Sequence, residues 1–317
     1  MPKFIPVRQD LTFVDAQGVT VHYYVWQPGA PQAVVQLVHG LGEYARRYEL
    51  LVHELVNAGI AVYASDLRGH GATGLEQWNG DVSKLGKLGP GGIPATIDDL
   101  TQLSGIIRDD HPGLPIVLLG HSLGSLLVQK VLNKYSVGYA AAILTGTAYR
   151  MPGYMNSGDL NSRHKSLGDT GYEWLSRDEA ISQAFLDDAL TFNADVLKLF
   201  GPRDGLRLFG RPAKGLRDIP LLIMIGEDDS LGGEKSVRKL AESYVERSGL
   251  TDVEVVVYTD ARHEVFNELN QAEVRDDLVA WLRARLPVLA ERSAQAEAQA
   301  EAQAEPLAET KDDSADD

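Results

Sequence analysis

A serine between two glycines is the residue of this sequence best placed to act as a nucleophile. Residues 120–124 read GHSLG and centre on Ser122. An apolar, strand-like segment (115–119) precedes this run, and an apolar, helix-like segment (123–132) follows it. In a tight strand-to-helix turn, small flanking residues hold the hydroxyl clear of the backbone at a helix N-terminus, which stabilises a developing anion. The alternative is an ordinary surface turn, but the strand and helix on either side favour a nucleophile elbow.

An activated serine needs a base, and the base needs an acid that orients it. His263 follows the last predicted strand, residues 253–258. Three acidic residues follow the predicted strand before it: Glu227, Asp228 and Asp229. Because catalytic groups of parallel sheets lie at the carboxyl ends of the strands, we expect these loops to meet near Ser122. The chain order is serine, acid, histidine, and the residue types alone leave open which of the two adjacent aspartates orients the histidine.

Two backbone amides are candidates for binding an oxyanion. One belongs to Leu123, directly after the serine, and the other to Leu41, within the run HGLGE at residues 39–43. The glycines of that run let the backbone turn its N–H groups inward, and His39 is interpreted as a structural, hydrogen-bonding residue. Asn267 stands where a zinc-binding HExxH helix would need its second histidine, and the chain has no cysteine. Neither a metal nor a cofactor is therefore expected.

Strand-like and helical patterns alternate along most of the chain. Seven segments are strand-like: residues 21–26, 33–38, 60–65, 115–120, 140–145, 220–225 and 253–258. Five helical patterns lie among them: residues 48–58, 97–110, 122–134, 234–248 and 270–286. The inner strand-like runs are continuously apolar, as expected for strands that are buried on both faces of a parallel sheet. The alternation predicts an α/β fold with helices on both faces of the sheet.

About seventy residues without a strand pattern lie between the fifth and sixth of these runs. Residues 176–179 read SRDE, a capping box that predicts the start of a helix. Apolar residues then recur at steps of three or four: Phe185, Ala189, Phe192, Val196 and Phe200. We expect a helical cap over the sheet, with Phe185, Phe192 and Val196 in contact with substrate. The alternative is an ordinary helical pair packed beside the core.

The composition excludes several classes of protein. The net charge of −15 argues against a nucleic-acid partner, and no apolar run reaches the length of a membrane span. The N-terminus lacks the apolar core of a signal peptide, so a cytoplasmic protein is expected. Residues 291–317 hold nine acidic and two basic residues, which predicts a disordered acidic tail. The expected division is a first core segment (1–149), a cap (150–212), a second core segment (213–290) and the tail (291–317).

Four motifs in chain order resemble those of a known family. They are residues 39–43 (HGLGE), 66–71 (DLRGHG), 120–124 (GHSLG) and 263–268 (HEVFNE). Together they are similar to the monoacylglycerol lipase and lysophospholipase branch of the α/β-hydrolases, which resembles the serine aminopeptidases of type S33. The resemblance spans roughly residues 21–286. It implies an α/β-hydrolase fold with an eight-stranded, mostly parallel sheet, helices on both faces and a helical cap.

The resemblance also implies roles for individual residues. It assigns the acid to Asp229, through a GxxD pattern, and the second oxyanion donor to Leu41. The chain departs from the usual family pattern at Tyr44, where histidine is common, and at Thr73, where serine is common. Neither position belongs to the expected triad. The cap run at residues 172–179 (YEWLSRDE) is similar to bacterial lysophospholipases of the family.

The residues and the resemblance together predict a serine ester hydrolase. The expected substrate is a small lipid ester, a monoacylglycerol or a lysophospholipid, reached through transient contact of the cap with a membrane surface. Alternatives on the same fold are a short-chain carboxylesterase and an aminopeptidase, for which Glu173, Asp178 and Glu179 are candidate amine ligands. A catalytically inactive binding protein is the alternative from a different class.

Overall fold

One mixed sheet organises the part of the chain that the computed structural model describes, residues 6–286 and 289. Its strands are β1 (Arg8–Val14), β2 (Thr20–Trp26), β3 (Ala33–Val38), β4 (Ile60–Ser65), β5 (Ile116–His121), β6 (Ala141–Thr145), β7 (Leu221–Gly226) and β8 (Val253–Tyr258). They lie in the order β1-β2-β4-β3-β5-β6-β7-β8. β1 pairs antiparallel with β2, and β2 antiparallel with β4. The remaining neighbours are parallel, so their carboxyl ends meet along one edge.

Burial explains which strands can be predicted from their sequence. The seven strands predicted from apolar patterns are confirmed to within one residue at each end. All residues of β3, β4, β5, β6 and β7 are buried, as expected of their predominantly apolar sequences. β1 is one of the two edge strands, and most residues of its sequence RQDLTFV are exposed. A strand of that kind has no apolar run to reveal it.

Helices cover both faces of the sheet. They are α1 (Glu49–Asn57), α2 (Gly71–Gln77), α3 (Gly92–Asp110), α4 (Leu123–Tyr135), α5 (Glu179–Asp187), α6 (Val196–Arg207), α7 (Gly233–Ser243) and α8 (Gln271–Arg285). Buried side chains of α3, α4 and α7 form one hydrophobic core against one face of the sheet. Those of α1 and α8 form a second core against the opposite face. This doubly covered, mostly parallel sheet is the arrangement predicted from the sequence.

The segment between β6 and β7 contains α5 and α6. Asp178 caps the N-terminus of α5 by accepting a hydrogen bond from the amide of Ala180. The hydroxyl of Ser176 instead donates to the carbonyl oxygen of Asn267. The predicted capping box is therefore wrong by two residues, because its serine is used to hold a neighbouring loop.

The predicted apolar stripe does not lie on one helix: Phe185 belongs to α5, Val196 and Phe200 belong to α6, and Ala189 and Phe192 lie between the two helices. α5 ends at Asp187, α6 begins at Val196, and residues 188–195 between them are not helical. The side chain of Asp188 accepts a hydrogen bond from the amide of Leu190 and turns the chain out of the helix. The single helical face expected from steps of three or four residues is therefore wrong.

The division of the chain into core, cap and tail stays a prediction. Arg150, at the expected start of the cap, is buried and donates hydrogen bonds to Gln129 of α4 and to the carbonyl oxygen of Leu208. The start of the segment is thus tied firmly to the core. The acidic tail expected over residues 291–317 lies outside the described residues. Within the described residues, no helix combines the length and apolarity needed to cross a bilayer.

Candidate active site

Ser122 lies at the junction of β5 and α4 in a backbone conformation that few residues adopt. Its φ is 51° and its ψ is −122°, outside the regions favoured by ordinary side chains. A Cβ on Gly124 would collide with the carbonyl oxygens of Val38 and His39, and one on Gly120 would lie 2.6 Å from the carbonyl oxygen of Gly124. Only glycine fits at both flanking positions. The turn is that of a nucleophile elbow and holds the serine at the N-terminus of α4.

Asp229 and His263 form a buried pair beyond the ends of β7 and β8. Both carboxylate oxygens of Asp229 lie 3.0 Å from Nδ1 of His263, and the two side chains are 0% and 1% exposed. Burial lowers the pKa of His263, but the charge of Asp229, aided by Glu264 and Glu43, outweighs burial and raises the pKa above its ordinary value. The pairing places the Nδ1 proton on the side of Asp229 and leaves Nε2 as the basic nitrogen.

Two aromatic rings pack against the imidazole of His263. The rings of Trp174 and His121 each lie 4.7 Å from it, centroid to centroid. The amide of His263 also donates a hydrogen bond to the carbonyl oxygen of Trp174. Burial lowers the pKa of His121 to about 3, so this neighbour stays neutral near pH 7. A neutral neighbour does not repel the imidazolium that would form at His263 during catalysis.

Ser122 and His263 are brought together, but no direct hydrogen bond joins them in the described part of the chain. Nε2 of His263 is buried and has no hydrogen-bond partner there. His121, next to Ser122 in the chain, packs against the ring of His263. Trp174 contacts that ring and also lines the cavity that contains Ser122. Catalytic hydrogen bonds of unliganded enzymes are often long and tighten when the substrate binds.

Leu41 and Leu123 line the same cavity as Ser122. Leu123 is the first residue of α4, so its amide has no partner within the helix. Leu41 follows Gly40, which lies against the serine: a Cβ on Gly40 would be 3.0 Å from Cβ of Ser122. The structure thus places both expected oxyanion donors beside the expected nucleophile.

A cavity of about 350 Å³ opens onto Ser122. Its apolar lining includes Leu41, Leu123, Leu126, Leu160, Trp174, Ala194, Val196, Leu208 and Leu231. Its polar lining includes Asn156, Ser157, Asp159, Asn161, Asn193 and Asp195. A cavity with a lining of this mixed character suits a ligand with an apolar part and a polar part.

Of the three cap residues expected to contact substrate, Val196 alone lines this cavity in the described structure. Phe185 is 4% exposed and packs against Trp174 in a small separate core. The ring of Phe192 lies 5.2 Å from that of His70, on the side of the core. The expectation for these two phenylalanines is therefore corrected: Phe185 lies within α5 and packs over the guanidinium of Arg47, and Phe192 lies in the non-helical segment after α5 and packs on the core.

Asp228 and Asp229 have different hydrogen-bond partners. Its carboxylate accepts hydrogen bonds from Nε2 of His164, at 2.8 Å, and from the guanidinium of Arg163. Its side chain is 46% exposed. Asp228 therefore ties the segment between β6 and β7 to the loop after β7, while Asp229 is the aspartate that contacts His263.

The acidic residues expected as amine ligands are engaged elsewhere. Burial raises the pKa of Glu173, but hydrogen bonds from Thr170 and Asn161 outweigh burial and lower that pKa to about 2. Asp178 caps α5, and Glu179 is the first residue of the same helix. None of the three expected ligands lines the cavity beside the serine.

Some residues that hold the site together cannot be identified from the sequence. Trp174 lies within the run at residues 172–179, whose similarity to lysophospholipases gives no hint of a contact with the histidine. Glu43 and Arg47 are four residues apart, a spacing visible in the sequence. The second partner of Arg47 is Glu264, which only the fold brings within 2.7 Å of it.

A family model and two known relatives match most of this chain. The family model described as serine aminopeptidase, S33, matches residues 29–270. The monoacylglycerol lipase of Mycolicibacterium smegmatis is 31% identical over 296 residues, which cover 88% of this chain and 98% of that protein. The monoglyceride lipase of Mus musculus is 26% identical over 308 residues, which cover 90% of this chain and 94% of that protein.

A solved structure supports the fold. The chain resembles a carboxyl esterase from Bacillus coagulans with a TM-score of 0.73 at 24% identity, over 88% of this chain and 99% of that one. The match to the family model contains all four motifs that carry the resemblance seen in the sequence. The predicted family is thus confirmed, and the chain belongs to the serine aminopeptidase S33 family of α/β-hydrolases.

Proposed function

We propose that this protein is a serine hydrolase that cleaves monoacylglycerols to a fatty acid and glycerol. The observation that carries the proposal is the buried Asp229–His263 pair beside Ser122, which stands on a strained strand-to-helix turn. Two relatives named as lipases of monoacylglycerols, at 31% and 26% identity, favour that substrate among lipid esters. Lysophospholipids and short-chain carboxylic esters offer the same type of bond and are the substrates to compare.

The arrangement supports an acyl-enzyme mechanism. Ser122 attacks the acyl carbonyl carbon while Nε2 of His263 takes the hydroxyl proton, and Asp229 stabilises the resulting imidazolium. The amides of Leu41 and Leu123 bind the oxyanion of the tetrahedral intermediate. His263 then protonates the leaving glycerol oxygen, which breaks the ester bond. The same histidine activates a water molecule that releases the fatty acid from the serine.

The lining of the cavity favours a neutral polar headgroup. Val196 and Leu208 belong to its apolar lining, which suits an acyl chain, and Asn193 and Ser157 belong to its polar lining, which suits glycerol hydroxyls. Among the described residues, neither lysine nor arginine lines the cavity. A phosphate-bearing headgroup would find no cation there, so monoacylglycerol is favoured over lysophospholipid.

The same lining disfavours an aminopeptidase, despite the name of the family. Such an enzyme needs a free carboxylate to bind the ammonium group of its substrate. Asp159 is paired with Lys165 at 2.8 Å. Asp195 accepts a hydrogen bond from the amide of Lys198 as the N-terminal cap of α6. Both carboxylates of the cavity are therefore already engaged.

The cap, proposed to span residues 150–212, would admit the substrate from a membrane surface. Leu186, Leu197 and Leu206 belong to its two helices and are at least 50% exposed. Exposed leucines on helices beside a cavity suit transient contact with a lipid surface. A cytoplasmic location stays a prediction.

A comparison of substrates tests the proposal. The purified full chain would be given monolauroylglycerol, lauroyl lysophosphatidylcholine, 4-nitrophenyl butyrate and alanine 4-nitroanilide, with Ser122→Ala as the control. We expect the highest kcat/KM for monolauroylglycerol, cleavage of the aryl ester and no cleavage of the anilide. Faster cleavage of the anilide than of either lipid would instead make the enzyme a peptidase.

A further inference from the structure

A buried ion-pair network connects the HGLGE loop to the loop that carries His263. Nη1 of Arg47 lies 3.0 Å from Oε2 of Glu43 and 2.7 Å from Oε1 of Glu264, and Nη2 lies 3.1 Å from Oε2 of Glu264. The side chains of Arg47, Glu43 and Glu264 are 12%, 4% and 5% exposed. Carboxylates buried to this extent are costly unless they are paired, so one guanidinium supports both.

The Glu43 end of the network anchors the backbone beside the proposed oxyanion donor. Oε1 of Glu43 accepts a hydrogen bond from the amide of Gly40 at 2.6 Å and from the hydroxyl of Tyr48 at 2.7 Å. Gly40 directly precedes Leu41 in the chain. The carboxylate therefore holds the loop one residue before the amide that would bind the oxyanion.

The Glu264 end anchors the loop of the proposed base. Glu264 directly follows His263, and its amide donates to the carbonyl oxygen of Leu175 at 2.7 Å. Its Oε2 accepts a further hydrogen bond, also 2.7 Å long, from Nδ2 of Asn267. The guanidinium of Arg47 contacts both carboxylate oxygens from the other side. Arg47 thus contacts Glu264, which is adjacent to the proposed base His263, and Glu43, which holds the backbone next to the proposed oxyanion donor Leu41.

The segment between β6 and β7 covers the network. The ring of Phe185 lies 4.8 Å from the guanidinium carbon of Arg47 and shields it from water. The hydroxyl of Tyr44 donates to Asp188 at 2.6 Å. The location of Phe185, which does not line the cavity, is explained by this contact.

We propose that Arg47 is a positioning residue that sets the spacing between the amide of Leu41 and Nε2 of His263. It acts through Glu43 and Glu264 and touches neither the substrate nor the reacting atoms. A planar guanidinium can bridge two carboxylates in a fixed geometry, whereas an ammonium group cannot. A displacement of about 1 Å in a catalytic group is enough to cost on the order of 10²-fold in rate. The proposal rests on the function proposed above.

The test compares Arg47→Lys, Arg47→Met and Glu264→Gln with the wild type. The matched control is Arg238→Met, which removes an arginine from an exposed pair with Glu234, four residues away as Glu43 is from Arg47. The measurements are kcat and KM for 4-nitrophenyl butyrate and the inhibition constant of an alkyl trifluoromethyl ketone. That ketone forms a tetrahedral adduct with a serine, so its affinity reports the geometry of the oxyanion site.

We expect kcat and inhibitor affinity to fall together in the Arg47 and Glu264 variants, by about 10- to 100-fold, with KM nearly unchanged. Arg47→Lys should retain more activity than Arg47→Met, and the Arg238 control should match the wild type. If Arg47→Met does not fold, the measurements on Arg47→Lys and Glu264→Gln decide whether Arg47 is a positioning residue. Folded variants with wild-type kcat and wild-type inhibitor affinity would overturn the proposal and leave Arg47 with a purely structural role. A wild type that cleaves no ester would refute the proposed function instead.

Discussion

Asp228 and Asp229 are adjacent in the chain but lie in different surroundings. Asp229 is fully buried against His263, whereas Asp228 is half-exposed and binds Arg163 and His164. We expect Asp229→Asn to lower kcat/KM for an aryl ester by about 10²-fold or more relative to Asp228→Asn, because an asparagine cannot hold the imidazole in the tautomer that acts as a base. The reverse ranking would transfer the orienting role to Asp228.

The pKa of His263 gives the reaction a pH dependence of known sign. Burial lowers this pKa, but Asp229 raises it above the ordinary value of 6.5. Only the neutral imidazole accepts a proton, so kcat/KM should fall as the pH drops through the raised pKa. In Asp229→Asn, the largest opposing charge is gone and only the smaller effects of Glu264 and Glu43 oppose burial, so the acid limb of the kcat/KM profile should move to lower pH. A limb that stays in place or moves upward would contradict this account.

At the scale of residues, the sequence predicts what depends on local spacing. The glycines around Ser122 and the position of His263 after a strand suffice to select both residues as candidates. The residue types leave Asp228 and Asp229 equivalent; the resemblance to the family favours Asp229, and the structure separates the two by burial and by their partners. The partnership of Arg47 with Glu264 joins residues 217 positions apart, so no local pattern encodes it.

At the scale of elements, the segment between β6 and β7 is the least predictable part of the described fold. The buried strands can be predicted because each is almost entirely apolar, whereas β1 has a mostly exposed sequence with polar residues at one edge of the sheet. The apolar recurrence after Phe185 fits a helix, yet Asp188 ends that helix through a local hydrogen bond to the backbone. Such competition between side chain and backbone is not visible in the spacing of apolar residues.

Val196 and Phe192 test two roles of the segment between β6 and β7, which are contact with the acyl chain and packing on the core. Val196 lines the cavity, so Val196→Trp should fill space used by a long acyl chain. Loss of burial for two or three methylenes, at about 0.8 kcal/mol each, lowers kcat/KM for a laurate ester by about ten- to sixty-fold. A butyrate ester should be nearly unaffected. The measurement is kcat/KM for matched butyrate and laurate esters of 4-nitrophenol.

Phe192→Ser is the matched comparison for that experiment. Phe192 packs on His70 and its amide donates to the carbonyl oxygen of Gly42. We expect this variant to have a lower Tm and to cleave both esters more slowly by the same factor. Equal losses on both chain lengths in Val196→Trp would show that Val196 is part of the core and does not contact the acyl chain.

At the scale of the whole molecule, the negative charge is unevenly distributed along the chain. Residues 291–317 carry a net charge of −7 out of the total of −15, and their Ala, Gln and Glu residues offer no apolar face to pack. Because this composition offers no face that could pack on the core, deletion of residues 293–317 should leave kcat/KM and Tm nearly unchanged. A fall in Tm of more than a few degrees would show that the segment contributes to the folded body.

The activity of the whole enzyme is proposed to depend on one atom, Oγ of Ser122, as the nucleophile. The most direct measurement is reaction of the full chain with a fluorophosphonate, followed by mass spectrometry of its peptides and by an assay of ester hydrolysis. We expect one added phosphonyl group, located on Ser122, and complete loss of hydrolysis. The Ser122→Ala variant should not be labelled, and its residual rate should lie several orders of magnitude below that of the wild type. Labelling of another residue, or near-normal ester hydrolysis by Ser122→Ala, would contradict the proposed role of Ser122.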